Sequence, residues 1–287
     1  MDKRPILGVI GGSGFYSIDG AREVGQHTFS TPYGATSAPV RELEIAKHRV
    51  LFIPRHGDQH TLLPSEVPYQ ANIFALKKLG VTHLIAVSAV GIMDEAIKPG
   101  DLIFPDQIFD RTKGVRKDTF FGGGAVGHAS FADPFCEILR KRVIKAAQEC
   151  QHTYHSKGTY VCIEGPRFSS RAESEYFRRT LNPQAIGMTA MPEAPLAREA
   201  SLSYAMIALA TDFDCWKQDA EDVSVDAVLA VLRESSRRAY DVLLKIIESF
   251  PLSLSSSDVP YAKAGKEAFI NPTLPEHLGD SLGLVLS

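Results

Sequence analysis

Residues 186–216 read IGMTAMPEAPLAREASLSYAMIALATDFDCW, and the fold class follows from how this stretch is parsed. Gly187, Met188 and Thr189 read as a strand end, 193–200 as a helix, and Ser203 to Ala210 as an apolar strand closing on Thr211-Asp212-Phe213-Asp214. Pro192 suits a first helical turn, and the early Glu193 suits the positive end of the helix dipole. Ala, Leu, Arg and Glu then sustain the helix. The strand is apolar on both faces, as a buried central strand of a parallel sheet is. Asp212 and Asp214, spaced i and i+2, stand at its carboxyl end, the edge where open α/β sheets bind ligands. Carboxylates after a fully apolar strand are costly to desolvate unless something polar meets them. The plainer reading is a solvated loop.

Working outward, the 287 residues are enough for one large or two small domains with a full core. Charged residues make up 23% and the net charge is -3, so there is no basic field for a nucleic-acid partner. No apolar run is long enough to span a membrane. Met1-Asp2-Lys3-Arg4 reads as leading straight into a strand, without a signal peptide. Cys136, Cys150, Cys162 and Cys215 show no CxxC pairing and read as free thiols of a reducing compartment. A cytoplasmic location is therefore expected.

Toward the amino terminus, an apolar strand at 5–10 enters Gly11-Gly12-Ser13-Gly14-Phe15, which suits a tight turn and an anion cradle of backbone amides equally. It lacks the Lys-Ser/Thr ending of a P-loop. The strand 49–53 ends on PRHGDQH, residues 54–60. His56, Asp58 and His60 could contribute to a metal site. Alternatively, Arg55 and His56 are anion donors and His60 lines a pocket wall. Residues 64–79 read as an amphipathic helix stopped by Gly80, and 82–91 as a buried strand running into the small residues Ser88, Ala89 and Gly91. Small side chains there permit close ligand approach, or simply pack a crossover. The Gly-rich loop 120–132, holding His128, is long enough to be functional or part of an interface.

The carboxyl-terminal half predicts a helix over 134–151, a strand over 157–163 and a helix over 172–179 opened by a Ser170/Glu173 capping box. Phe168 and Ser169 fall in the strand-to-helix turn, where an aromatic ring either stacks on a planar ligand or fills core. A long helix over 223–250 carries Val225, Val228, Leu229 and Leu232 on one stripe, with Leu229 and Leu232 read as core. Past Pro251 the periodicity fades into a loosely held tail. Strands alternating with helices make the chain a single α/β domain with a central mixed or mostly parallel sheet flanked by helices. Ser13, Arg55, His56, Ser88, Ser169, Thr189, Asp212 and Asp214 all fall at strand ends, so anion donors and paired carboxylates converge on one site.

Seven motifs in fixed order carry a resemblance: GGSGF, TPYG, PRHGDQH, LPSEVPYQANIFALK, GTYVCIEGPRFSSRAESEYFR, GMTAMPEAPLARE and ATDFDCWK. From about Ile6 to Phe250 the chain resembles the S-methyl-5'-thioadenosine phosphorylases of the purine nucleoside phosphorylase superfamily. The resemblance implies a nucleoside phosphorylase fold over 1–250 and a tail, 251–287, of the kind that helps close the methylthio pocket in relatives. It implies a pentosyltransferase reaction: phosphorolysis of S-methyl-5'-thioadenosine to adenine and 5-methylthio-ribose 1-phosphate. No cofactor or metal is implied; inorganic phosphate is a co-substrate. Phosphate would be held by Ser13, Arg55, His56, Ser88, Ala89 and Thr189. Met188 would lie along the ribose, Phe168 would line the base pocket, and Asp212, Phe213 and Asp214 would take the adenine edge. Ser169 would support the base end, and Val225 and Val228, with His60, the methylthio end. His128 resembles a residue that reaches a neighbouring subunit's pocket, which implies a homotrimer.

The purine gathers negative charge as it leaves, so a neutral Asp protonating N7 is the general acid, its pKa raised by burial and a neighbouring carboxylate; Asp214 is taken as that acid, although either Asp212 or Asp214 could hold the proton. There are departures. Gly187 replaces an Asn found before Met-Thr in some relatives, Ser13 and Ser88 replace threonines found in some members, and the tail after Pro251 does not match the family pattern. The alternative is a purine nucleoside phosphorylase acting on adenosine or 6-oxopurine nucleosides, although an amide in place of the two Asp residues is expected in a 6-oxopurine enzyme.

Overall fold

The computed structural model describes residues 5–18, 20–217, 225–250 and 259–287 (of 225–229, the backbone alone); strands dominate its first part, and strands and helices alternate mainly in its second. The first part supplies β1 (Leu7–Gly11), β2 (Arg22–His27), a ribbon of β3 (Ser30–Thr31) and β4 (Gly34–Ala35), β5 (Val40–Ile45), β6 (His48–Pro54) and helix α1 (Tyr69–Lys78). Next come β7 (His83–Ile92), β8 (Leu102–Ile103), β9 (Gln107–Arg111), α2 (Glu137–Glu149), β10 (Tyr154–His155), β11 (Thr159–Ile163), α3 (Arg171–Leu181) and β12 (Ala185–Gly187). The chain ends through α4 (Ala190–Glu199), β13 (Ser203–Phe213), α5 (Val225–Glu248), α6 (Ala264–Ala268) and α7 (Gly279–Val285).

Eleven strands form one mixed sheet in the order β10-β8-β13-β7-β1-β6-β5-β2, with β12, β11 and β9 branching from β7. β1 runs parallel between β6 and β7, and β7 runs parallel to β13. Side chains alternate across these strands, so each contributes to two cores. Val9, Val87, Ile207 and Leu209 pack with α2 and α5, while Ile10, Ala86, Met206 and Ala208 pack with α1 and α4. Two-sided burial explains why β13 reads as an unbroken apolar run. The carboxyl ends of β1, β6 and β13 open on one side of the sheet, and β12, antiparallel to β7, ends beside it so that Thr189 meets Ser88; the residues that follow each are those singled out above.

Several local expectations are revised. Helix α1 starts at Tyr69, five residues later than the amphipathic pattern predicts, because Pro68 is non-helical (ψ 67°) and proline biases Val67 away from the helical region. At α4, Met191 and Pro192 are non-helical inside the first turn and joined by a cis peptide, so Pro192 does not serve as an ordinary first-turn proline. The capping box of α3 is present, with Ser170 and Glu173 bonded reciprocally. Beyond Pro251, the described residues 259–287 are not loosely held: α6 packs on α4 and α7 on α1, with Leu282 and Val285 in the core. Gly265 sits so close to α4 that a Cβ there would lie 2.0 Å from the Glu199 carbonyl oxygen.

Candidate active site

At that edge of the sheet lies a cavity of about 420 Å³, lined by Ser13, His56, His60, Ser88, Ala89, Phe168, Ser169, Met188, Thr189, Asp212 and Asp214, with Leu62, Leu63 and Leu232 on its apolar wall. A larger cleft, about 770 Å³, lies where β1 and β7 begin, but none of the buried unpartnered polar atoms lies on its walls. The chemistry converges on the smaller one.

One end is built on Arg55. Its guanidinium is fully buried and bound bidentately by Glu193, with Nε 2.7 Å from Oε2 and Nη2 3.0 Å from Oε1; Nη1 donates to the Val87 carbonyl at 3.1 Å. Tyr204 donates its hydroxyl to the same Glu193 carboxylate. Glu193 is thus the buried counter-ion of Arg55, where the sequence suggested only a dipole partner. Arg55 itself does not line the cavity but lies directly under the glycine turn: a Cβ on Gly12 would be 2.6 Å from Nη1, so only glycine fits. Above it, Ser88 Oγ and Thr189 Oγ1 are 3.1 Å apart, and Thr189 N–H donates to the Tyr160 hydroxyl at 3.3 Å. His56 Nδ1 donates to the Leu62 carbonyl at 2.8 Å, and its ring stacks on His60, centroids 4.7 Å apart. Burial, then the Arg55 charge, lowers the pKa of His56 to about 4. His60 Nδ1 meets the Tyr16 hydroxyl at 2.5 Å. Asp58 turns away to pair with Arg41, so the His-x-Asp-x-His pattern does not converge. Among the described residues no group of three or more His, Cys, Asp or Glu is placed to hold a metal ion.

The opposite end carries the carboxylates. The register of β13 on β7 shifts after Ala210, pairing Asp212 with Gly91 and leaving Thr211 as a bulged residue. Thr211, Asp212 and Asp214 all line the cavity as a result. Asp212 Oδ1 accepts from Thr211 Oγ1 at 2.6 Å. Burial, with the Asp214 charge adding to it, raises the Asp212 pKa against the opposing effect of that bond. Asp214 Oδ2 and Ser169 Oγ are buried with no protein partner, the condition a ligand's polar edge relieves. Phe168 stands on the rim, 78% exposed, free to stack and not a core filler.

The sequence profile of the phosphorylase superfamily matches residues 6–248. A Geobacter sulfurreducens protein named S-methyl-5'-thioadenosine phosphorylase is 44% identical over 98% of this chain and 98% of its own length. The chain belongs to the S-methyl-5'-thioadenosine phosphorylase family. Its Pyrococcus abyssi relative of the same name is 47% identical over 86% of this chain and 93% of its own. The crystal structure of a methylthioadenosine phosphorylase from an antarctic soil metagenomic library superposes with a TM-score of 0.90, at 40% identity, covering 99% of this chain and 100% of that one. A Schistosoma mansoni adenosine/methylthioadenosine phosphorylase variant in complex with methylthioadenosine reaches 0.86 at 36% identity, covering 93% and 99%.

Within this family member, some predicted site residues lie elsewhere. Phe213 points away from the cavity and packs on Trp216, ring centroids 5.6 Å apart. His128 is exposed, its N–H bonded to the Ala268 carbonyl, and does not line its own protomer's cavity. No described residue of the tail lines it either. Val225 and Val228 fall on side chains outside the described residues. Leu232, read as core, is on the cavity wall and would meet a Cβ on Gly14 at 2.6 Å. Two supports went unseen. Arg116 pairs with buried Glu164 and donates to the Met188 and Met191 carbonyls, each at 2.6 Å, pinning the segment that carries Met188. Tyr160 fills the space beside Gly187, where a Cβ would be 2.0 Å from its hydroxyl. With Tyr160 so placed, a side chain at position 187 would collide with its ring.

Proposed function

We propose that this chain phosphorolyses S-methyl-5'-thioadenosine, releasing adenine and 5-methylthio-ribose 1-phosphate. The observation that carries the reading is one cavity with a carboxylate pair, one oxygen of it buried and unpartnered, facing hydroxyl and imidazole groups over a buried arginine. Adenine's exocyclic amine supplies donors to Asp212 and Asp214, whereas a 6-oxopurine would bring an acceptor against them. Phosphate takes the other end, against Ser13, Ser88, Ala89, Thr189 and His56, with Arg55 supplying positive charge from beneath. Phe168 stacks on the base, Met188 lies along the ribose, Ser169 bonds the base end, and His60 with the apolar wall takes the methylthio group. As the glycosidic bond loosens, charge develops on the purine, and Asp214, its Oδ2 buried and unpartnered, is the acid of this reading and delivers a proton to N7. Such general acid catalysis contributes about 100- to 10,000-fold.

The same reading takes the protein as a cytoplasmic homotrimer in which His128 completes a neighbour's pocket, with no metal or organic cofactor. A head-to-tail ring gives each loop 120–132 one neighbour. The deciding experiment is product analysis with methylthioadenosine, with and without phosphate. Adenine together with a sugar 1-phosphate, formed only when phosphate is present, is the expected result; adenine without phosphate dependence overturns it.

A further inference from the structure

A carbonyl oxygen only accepts hydrogen bonds, so the 2.8 Å contact between His56 Nδ1 and the Leu62 carbonyl places the ring hydrogen on Nδ1. In the neutral ring Nε2 is then a bare lone pair. Stacking against His60 at an interplanar angle of 18° holds the ring in place on the cavity wall. Among the described residues Nε2 has no protein partner. The charged and titratable groups facing His56 are Arg55, paired with Glu193; Arg116, paired with Glu164; and His60. Both arginines disfavour a second positive charge, so the neutral ring is the resident form at neutral pH. An imidazole that accepts, placed where an anion is to bind, is at odds with the donor role its sequence position suggests.

We infer that His56 meets the co-substrate as a hydrogen-bond acceptor, its Nε2 taking the P–OH hydrogen of hydrogen phosphate. The inference rests on the reading above that phosphate occupies this end. It gives the anion an orientation: the hydroxyl-bearing oxygen is turned to His56, and the three unprotonated oxygens are left for the hydroxyl donors and for attack on the sugar. It also gives the site a chemical preference. Sulfate has the same shape and charge as hydrogen phosphate but no hydrogen at neutral pH, so it fits only if His56 first takes up a proton.

Calorimetry with inorganic phosphate and sulfate as the two probes, each in buffers of different ionisation heat, tests this on the intact protein. Between about pH 7 and about pH 8.5, far above the lowered His56 pKa, sulfate binding is expected to absorb close to one proton and to weaken about tenfold per pH unit. Phosphate binding is expected to absorb none, and near pH 7 to release the fraction of a proton that dihydrogen phosphate gives up on binding as hydrogen phosphate. In His56→Gln, whose amide can turn its N–H outward, the sulfate proton uptake disappears. Sulfate binding without proton uptake in the wild type overturns the inference, as does uptake that persists in the variant. Should the variant not fold, the wild-type pair of titrations still decides. Failure of the phosphorolysis reading is separate: phosphate would then not bind in the cavity, and adenine release would not depend on it.

Discussion

At one end of the cavity Arg55, His56, Ser88 and Thr189 all have protein partners; at the other, Asp214 Oδ2 and Ser169 Oγ are buried without any. The first arrangement fixes donors and charge before a ligand arrives, so little reorganisation is needed on binding. The second leaves a demand that only a matching polar edge satisfies. Sites of that kind discriminate strongly, because a ligand with the wrong pattern leaves buried groups unpaired. Recognition of a small anion suits the first, and choice among purines suits the second.

The largest effect expected from breaking this contrast is at the carboxylate end. Asp214→Asn keeps the shape but removes the transferable proton, so turnover of methylthioadenosine should fall about 100- to 10,000-fold. Use of inosine-type nucleosides should rise relative to it, since an amide can donate to a 6-oxo group. Product assays on both substrates measure this, and undiminished turnover of methylthioadenosine would sink the assignment.

Next in size is the counter-ion. Glu193→Ala leaves the Arg55 guanidinium buried and uncompensated, a change that destabilises by about 3–5 kcal/mol. Chemical denaturation should show that loss, whereas Asp214→Asn removes no protein partner of the Asp214 side chain and should lie within about 1 kcal/mol of wild type. Equal losses in the two variants would mean the ends are not built differently after all.

Which parts of this contrast the sequence could reveal follows from the range of the interactions. Asp212, Asp214, Ser13, Ser88 and Thr189 stand at strand ends that hydrophobic runs mark out, so a local pattern finds them. The mixed sheet was legible for the same reason. The Arg55–Glu193 pair joins residues 138 apart in sequence, and Glu193 looked like a helix-dipole residue until the tertiary contact was seen. A bulge at Thr211 leaves no trace in an apolar run. Leu232 has core spacing on α5, and only the position of the glycine turn opposite it makes it cavity wall. The proposed reach of His128 into a second subunit is a contact that no single chain displays.

A pH titration sharpens the comparison further. The His56 pKa is lowered to about 4, below its ordinary value near 6.5. A group with a depressed folded pKa stabilises fully above the unfolded value, and the contribution is lost as pH falls through the folded one. Between about pH 6.5 and about pH 4 the wild type should lose about 2–3 kcal/mol that His56→Gln does not lose. Unfolding curves at several pH values give the difference. Parallel acid limbs for the two proteins would show that His56 is not held neutral.

The smallest effect expected is at Tyr160, and it asks whether the donor end is fixed by protein contacts or merely decorated by them. The Tyr160 hydroxyl accepts from Thr189 N–H, and through that backbone it sets Thr189 Oγ1 against Ser88. Tyr160→Phe removes the acceptor and leaves a buried N–H unpaired, at about 1 kcal/mol of stability for a bond as long as 3.3 Å. The ring stays, so the space is not opened: its Cζ remains 2.7 Å from a Cβ at Gly187, and Gly187→Ala should be as poorly tolerated in Tyr160→Phe as in the wild type. If the disturbed groups hold phosphate as proposed, KM for phosphate should rise a few-fold, about the factor of 5 that 1 kcal/mol gives, with KM for the nucleoside unchanged. Steady-state kinetics varying each substrate separates the two. A change confined to the nucleoside would assign Tyr160 to the other end of the cavity and dissolve the division drawn here.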